Sequence, residues 1–599
     1  MAVGPRRHAG RLITTVGIAL GGLACLAPTA LAGSPAPFGH ACEPKAGVRF
    51  CPTRNDAERV PSFDGVPIDV DVTLPGKGDG PFPTIVLMHG WGGNKANFQA
   101  TSTGRSYSDV FYARRGYAVV TASARGFGRS CGRPDSRNTP ACARGWLHLA
   151  DSRYEARDVQ HLLGLLADQG ITRPRAIGVS GWSYGGIQSQ ILARLRDRIR
   201  LPNGRYRPWR SPRGTPMEIA AAFAVIGTPD LTASLTPNGR FLDFARFGPR
   251  VSHTPLGVKK QSYVDGLYVS GLAAGYVAPR GVDRSADLRG WKASVDAGEP
   301  YGATARGVAR ELTGFHSATG VTGRTPAPTL IQNGWTDDLF PASDGVRAYQ
   351  ELRRIRGARV SLQLGDFGHP RASNDARTVE DFNQRGARFF DAHLRGRGRL
   401  PANGKVVAYT QSCAEGRSAA GPFEASSWAA LHPGRVRFGS RRGETVRSDG
   451  GDPAVGRAVD PLSAGGCAQV RAAVAPGTVV ATRRVQRPFT LLGLPTVRAN
   501  IRTRGRFGIV AARLWDVSGG RQRLVSRGVY RLRDNHRGRL VMQLQGNGWR
   551  FARGHTIKLE LTGSDPNFVR TSDGRFTVAV RNLRVELPTR ERTGRGTGG

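Results

Sequence analysis

The stretch from Arg175 to Arg198 constrains the fold more than any other part of the chain. A short apolar run, Ala176-Ile177-Gly178-Val179, leads into Gly181-Trp182-Ser183-Tyr184-Gly185-Gly186, and a helical pattern from Gly185 to Arg198 follows at once. Small residues around Ser183 permit a turn sharp enough to pass from strand to helix without a loop. Such a turn lifts the serine hydroxyl above the edge of a sheet. The helix start also places backbone N–H donors and a partial positive charge beside it. A bare Gly-x-Ser-x-Gly is common by chance, and a simple tight turn is the bland alternative. The strand and helix context favours a nucleophilic serine.

Strand and helix patterns alternate around this junction. Val66, Ile68, Val70, Val72 and Leu74 alternate with period two, and Pro83 to Met88 is an apolar run suited to a strand buried on both faces. Further strands are predicted at Tyr117 to Val120, Ala220 to Ile226, Thr329 to Gln332 and Val360 to Leu364. Helices are predicted at Tyr154 to Leu166, Gly345 to Arg354 and Val379 to His393. This alternation implies right-handed crossovers and a doubly wound, mostly parallel α/β sheet with helices on both faces. The Gly-rich interval 231–326 is too long for an ordinary connection and reads as a helical cap over the strand ends. The catalytic domain is therefore expected over 33–400. From 401 to 588, short alternating strands with turn signals predict an all-β sandwich, with Ser518-Gly519-Gly520-Arg521 as a hairpin turn. The polar residues 589–599 read as a disordered tail. A chain of 599 residues is long enough for two or three such cores.

The N-terminus reads as an export signal. Arg6, Arg7 and Arg11 precede an apolar segment from Leu12 to Leu26, and Ala30-Leu31-Ala32 is a small-x-small cleavage site, so residues 1–32 are expected to be removed. Lipoprotein anchoring at Cys25 is disfavoured because Gly22 stands where an aliphatic residue is expected. His8-Ala9-Gly10 fits twin-arginine export poorly. Six cysteines then remain in an oxidising compartment. Their positions favour Cys42–Cys51, Cys131–Cys142 and Cys413–Cys467, the first two closing short loops worth about 2–3 kcal/mol each. No Cys-x-x-Cys pair or His-rich partner suggests a metal site instead.

A serine at its ordinary pKa needs a base and a third group to orient that base. Downstream of the cap, the strand at 329–332 runs into Asn333-Gly334-Trp335-Thr336-Asp337-Asp338, and the next ends in Gly365-Asp366-Phe367-Gly368-His369. Both lie at carboxyl ends of sheet strands, where ligands bind in open α/β folds. The candidate catalytic set is Ser183, Asp337 and His369, with Asp337 preferred to Asp338 as the acid. His89-Gly90-Trp91-Gly92-Gly93 ends the Pro83–Met88 strand, and the Trp91 and Tyr184 amides are the expected oxyanion donors. His89 precedes the nucleophile and is expected to brace this loop. Trp182 and Trp335 either line the acyl pocket or pack the core. This chemistry requires no metal and no organic cofactor.

These residues, in this order, resemble the X-Pro dipeptidyl-peptidase and cocaine-esterase family of α/β-hydrolases. The resemblance rests on Ala124 to Ser130, Gly181 to Gly186, Asn333 to Asp337 and Gly365 to His369. In the C-terminal third it rests on Leu492 to Pro495, Ala512 to Val517, Ser526 to Gly528 and Gly554-His555. It covers roughly 60–588 and implies a serine hydrolase of esters or amides, with a helical cap and a C-terminal jelly-roll domain. Cocaine-esterase-like members place a Tyr hydroxyl in the oxyanion hole. The matching loop here carries Trp91, whose indole or backbone N–H would serve instead.

The family implies either acyl-ester hydrolysis or X-Pro cleavage. A dipeptidyl-peptidase has to neutralise a buried ammonium, and the acidic candidates in the cap are Asp243, Asp265, Asp283, Asp287 and Glu299. An ester needs only an apolar cleft, which Trp182, Trp335, Phe241 and Phe244 could furnish. The ester reading is preferred. A reading of another class, a protein that binds an acidic cell-wall polymer or polysaccharide, draws on the net charge of +42. A complete Ser-Asp-His order has no use in a pure binder. Only about eight of the 87 cationic residues are Lys, and the Arg are scattered from end to end, so no nucleic-acid partner is expected.

Overall fold

The computed structural model describes residues 35–99, 106–244, 256–413 and 419–592. The predicted signal segment 1–32 and Cys25 lie outside them. The strands of the first part, in chain order, are β1 (Glu43–Lys45), β2 (Val48–Cys51), β3 (Val60–Pro61), β4 (Pro67–Ile68), β5 (Val70–Leu74), β6 (Phe82–Met88), β7 (Ala118–Ala122) and β8 (Thr172–Trp182). They continue with β9 (Arg198–Arg200), β10 (Tyr206–Pro208), β11 (Ile219–Val225), β12 (Thr329–Gly334), β13 (Val360–Gly365), β14 (Val406–Ala408) and β15 (Phe423–Ala425). One sheet has the order β1-β2-β5-β7-β6-β8-β11-β12-β13-β14-β15. All pairs from β7 to β14 are parallel, and the pairs at both edges are antiparallel.

The alternation of side chains along the strands builds the two layers of core. Val86, Met88 and Val120 pack on one face, with Leu162, Leu163, Ile187 and Ile191. Ile85, Leu87 and Val119 pack on the other, with Tyr112, Phe382 and Phe390. The helices that supply these side chains are α1 (Asp109–Arg114), α2 (Glu155–Asp168), α3 (Tyr184–Leu195) and, after the cap, α9 (Ala376–Leu394). In α2 the buried Ala156, Val159, Leu163 and Leu166 recur at helical spacing, so one stripe faces the sheet. Between β11 and β12 the cap contributes α4 (Leu231–Leu235), α5 (Gln261–Ala274), α6 (Leu288–Asp296) and α7 (Ala303–Phe315), and α8 (Ala342–Arg353) follows β12. No helix among the described residues is long and apolar enough to cross a membrane.

The C-terminal part is a sandwich of a seven-stranded and a five-stranded antiparallel sheet around a shared apolar core. Its central hairpin joins Ile509–Ser518 to Arg521–Arg531 through Gly519 and Gly520, both at positive φ, the geometry that a two-residue hairpin turn requires. Two boundaries differ from those read in the sequence. Residues 401–425 do not open the sandwich. β14 pairs in parallel with β13, and β15 closes the edge of the first sheet. Three buried residues are too few to distinguish the two kinds of strand by pattern. At the other end, the final strand runs Phe576–Thr589, Arg590 N–H donates to Thr490 O, and the Glu591 carboxylate accepts from Thr490. Residues 589–591 are thus held by the sandwich rather than forming a tail. The described residues from 36 onward constitute one compact unit, in which Arg531 of the sandwich pairs with Glu299 of the cap and Arg570 donates to the α6 carbonyls of Val295 and Asp296.

Candidate active site

β8 passes into α3 at Ser183, whose φ of 54° and ψ of −110° lie outside both strand and helix. Glycine is required around it. A Cβ on Gly185 would stand 2.1 Å from Met88 O, and one on Gly186 2.4 Å from Val225 O. Packing of α3 against the ends of β6 and β11 therefore holds the strained serine in place.

The structure brings together the three residues read as the catalytic set. Ser183 Oγ lies 2.9 Å from His369 Nε2, and His369 Nδ1 lies 2.7 Å from Asp337 Oδ2. The other oxygen of Asp337 accepts from the backbone N–H groups of Leu339 and Phe340, each at 2.9 Å. Those bonds fix the carboxylate, and edge-on rings of Phe340 and Tyr263 flank the imidazole. The turn that presents Asp337 is shaped by Asn333, whose amide donates to Gly227 O and Phe340 O at 3.0 Å.

Asp338 has a different task. Arg371 Nε donates to it at 2.6 Å, Arg527 of the sandwich donates as well, and neither Asp338 nor Arg527 has exposed side-chain surface. From the residue before α5, buried Lys260 donates to the carbonyls of Asp338 and Leu339 at 2.7 Å each. Lys260 and Arg371 were not singled out from the sequence, and Arg527 only as part of the Ser526–Gly528 motif, with no role assigned. Arg371 stands two residues after His369, but the partners of Lys260 and Arg527 lie 78 and 189 residues away in the chain.

The loop after β6 is braced as expected. His89 Nδ1 is 2.7 Å from Gly90 O, and its Nε2 accepts from Ala124 N–H at 2.9 Å. Burial pushes its pKa down to about 4, so the ring is neutral. The Ala124–Ser130 motif is structural. Phe127 packs against His89, Trp91 and Tyr184, and buried Arg125 pairs with Asp158 and Asp64. The Trp91 indole N–H donates to Leu267 O at 2.9 Å, which leaves only the backbone amide of Trp91 for a substrate. Among the described residues neither the Trp91 nor the Tyr184 amide has a protein acceptor.

Under the cap a cavity of about 150 Å³ opens at Ser183 and widens to solvent at its mouth. Its wall comes from α3 and the four cap helices, together with Trp91, Leu339 and Phe340. The aromatic residues proposed for this role do not form it. Trp335 is 1% exposed and packs in the core, with its indole donating to Tyr409 O at 2.7 Å. Trp182, 40% exposed, stacks on Tyr107 and lines a separate polar cleft. Phe241 lies under the Arg347 guanidinium and Phe244 under that of Arg498. Strand-end aromatics look equivalent in sequence, but the direction of each side chain is set by packing.

The acidic candidates of the cap are all engaged elsewhere. Asp243 accepts from Trp428 and Gln543, Asp265 from Lys259 and Lys292, and Asp283 from Trp146 and Ser285. Asp287 caps α6, and Glu299 pairs with Arg531. None lines the cavity. Elsewhere, the carboxylates of Asp151 and Glu311 beside His316 are bridged by the Arg153 guanidinium. The three cysteine pairs, Cys42–Cys51, Cys131–Cys142 and Cys413–Cys467, are disulfide-bonded, which is compatible with an extracellular protein.

A mostly parallel sheet with a strand–serine–helix elbow, a cap over the strand ends and an all-β C-terminal part has the α/β-hydrolase fold. Comparison with known proteins bears out the resemblance carried by the motifs. Residues 64–199 match the X-Pro dipeptidyl-peptidase family (S15 family). A CocE/NonD family hydrolase from Staphylococcus aureus has a similar structure, with a TM-score of 0.58 at 12% identity over 90% of this chain and 93% of that one. An α-amino acid ester hydrolase gives a TM-score of 0.54 at 16% identity, over 94% of this chain and 100% of that one. A mouse sn-1-specific diacylglycerol lipase is 30% identical over 152 residues, which are 25% of this chain and 40% of the lipase's length.

Proposed function

We propose that this protein is a secreted serine hydrolase of acyl esters, with Ser183 as nucleophile, His369 as general base and acid, and Asp337 as the group that orients the imidazole. Ser183 Oγ attacks the acyl carbon while His369 Nε2 takes its proton. The carbonyl oxygen becomes an oxyanion held by the Trp91 and Tyr184 amides. The alcohol leaves with the proton from His369, and water repeats the sequence on the acyl-enzyme to release the acid and free Ser183. The single observation that carries this reading is the contiguous chain from Ser183 Oγ through both imidazole nitrogens to Asp337, set at the mouth of a cavity on whose wall no acidic residue stands among the described residues. An X-Pro peptidase has to hold an ammonium, and an unpaired charge in such a wall costs several kcal/mol. Esters carry no such charge. Export is supported by the signal pattern and by three disulfides.

The test is a fluorophosphonate probe with p-nitrophenyl ester turnover on the wild type and Ser183→Ala. Wild type is expected to be labelled. Ser183→Ala is expected to lose the label and about 10⁴–10⁶ in kcat while keeping its fold. Equal labelling of both proteins defeats the assignment. Release of p-nitroaniline from Ala-Pro substrates with a higher kcat/KM than that for short esters would move the protein to the dipeptidyl-peptidases.

A further inference from the structure

We infer that the acyl group accepted at Ser183 is a medium-to-long aliphatic chain, lodged in the cavity under the cap. This rests on the reading of Ser183 as the nucleophile and names the substrate class for it.

The cavity begins at the serine and continues between helices whose inward residues are carbon. Ile187 comes from α3, Leu235 from α4, Val264 and Leu267 from α5, and Val308 and Leu312 from α7. Most of the polar groups on its wall are already spent on the protein, the Tyr268 hydroxyl and the Trp291 indole N–H being the exceptions among the described residues. Thr232 Oγ1 donates to Ala309 O at 3.2 Å, Thr236 Oγ1 to Thr232 O at 2.7 Å, and the Trp91 indole to Leu267 O. Lys292, the single charged residue lining it among the described residues, is paired with Asp265 and Asp296.

Three classes of acyl group can be compared against this wall. A peptide would bring amide N–H and C=O groups into a wall that, among the described residues, offers few free partners, and each group buried unpaired is penalised. Among the described residues, an acyl group with a free ammonium meets a cation and no lining carboxylate. A hydrocarbon chain asks for nothing but contact. It also restores contacts that an apolar void inside a protein otherwise lacks. The balance of bonds is that of the ester reaction. The Ser183 Oγ–acyl bond forms as the ester C–O bond breaks, the alcohol departs with the His369 proton, and water later releases the fatty acid from the cavity.

The test uses the full mature chain with p-nitrophenyl acetate, butyrate, octanoate and laurate, and active sites counted with fluorophosphonate. The expected result is a kcat/KM for octanoate about tenfold or more above that for acetate, within the roughly fourfold per buried methylene that hydrocarbon transfer allows. Val308→Trp, which fills the cavity from α7, is expected to lower the octanoate-to-acetate ratio about tenfold. Should that variant fold poorly, inhibition of wild type by octylboronic and methylboronic acids reads the same pocket, and the octyl compound is expected to bind about tenfold tighter. A flat or falling chain-length series from an enzyme labelled at Ser183 overturns the inference and leaves the serine-hydrolase reading intact. Absence of both label and turnover overturns both.

Discussion

Arg527, on a strand of the C-terminal sandwich, donates through Nη2 to Asp338 Oδ2 in a pair with no exposed side-chain surface. Asp338 follows Asp337 directly, so the loop carrying the carboxylate that faces His369 is held from the sandwich. Burial alone would raise the Asp338 carboxyl. The Arg371 and Arg527 guanidiniums outweigh it and hold Asp338 well below the usual carboxylate range. The loop is thereby tied to the cap through Lys260, to the histidine loop through Arg371 and to the sandwich through Arg527.

Arg527→Leu should therefore act at a distance. Removing one partner of a buried pair costs about 3–5 kcal/mol. The lower end applies here because Arg371 remains on Asp338. The expected outcome is a lower thermal midpoint together with a fall in kcat larger than any change in KM, measured well below the melting temperature. A variant that melts early yet keeps wild-type kcat would confine Arg527 to stability and detach the sandwich from the site.

The two adjacent aspartates should separate cleanly. Asp337→Asn keeps the shape of the turn but offers an amide where His369 Nδ1–H needs a carboxylate, and the equivalent change in a Ser-His-Asp enzyme costs about 10⁴ in kcat. Asp338→Asn leaves two buried guanidiniums facing one neutral amide, so its main effect should fall on stability, by about 3 kcal/mol or more. Parallel melts and ester kinetics decide the matter. If Asp338→Asn proves the more damaging to kcat at matched folded fraction, the roles of the two residues are exchanged.

How much of this was legible in the sequence follows the range of the interactions. The parallel sheet could be read because strands alternate with helical patterns and because β6 is a short, mostly apolar run buried on both faces. The elbow could be read because Gly181, Ser183, Gly185 and Gly186 satisfy local steric demands. Strand ends located Ser183, Asp337 and His369 together, since the carboxyl ends of parallel neighbours share one edge. What could not be read was decided by long-range packing. β14 looks like any short alternating strand until it pairs with β13. Trp335 and Trp182 both stand at strand ends, yet one is sealed under Tyr409 and the other faces a separate cleft. The guanidinium clamp on Asp338 joins residues from three parts of the chain, and no spacing encodes it.

Glu155 supplies a prediction in pH. It is buried at the start of α2 and accepts from the His148 N–H at 2.7 Å, the Asp151 N–H at 2.9 Å and the Tyr184 hydroxyl at 2.9 Å. Burial, reinforced by the Asp151 charge and opposed by Arg125, pushes its pKa up to about 7. The unfolded chain titrates the same group near about 4.3. Between those values the folded state holds the proton more tightly, so stability is lost as pH rises from about 4 to 7, and the full penalty of roughly 3 kcal/mol applies above 7. Glu155→Gln resembles the protonated form and escapes this penalty. It also places an amide NH₂ against a backbone donor, a pH-independent cost of about 1–3 kcal/mol. Its melting temperature should therefore lie below that of wild type at pH 5, and the gap should narrow or reverse at pH 8. Melts of both proteins at the two pH values provide the measurement. A gap of equal size at pH 5 and pH 8 would mean that Glu155 is ionised throughout, and that the first turn after Ser183 rests on a charged carboxylate rather than one that protonates near neutrality.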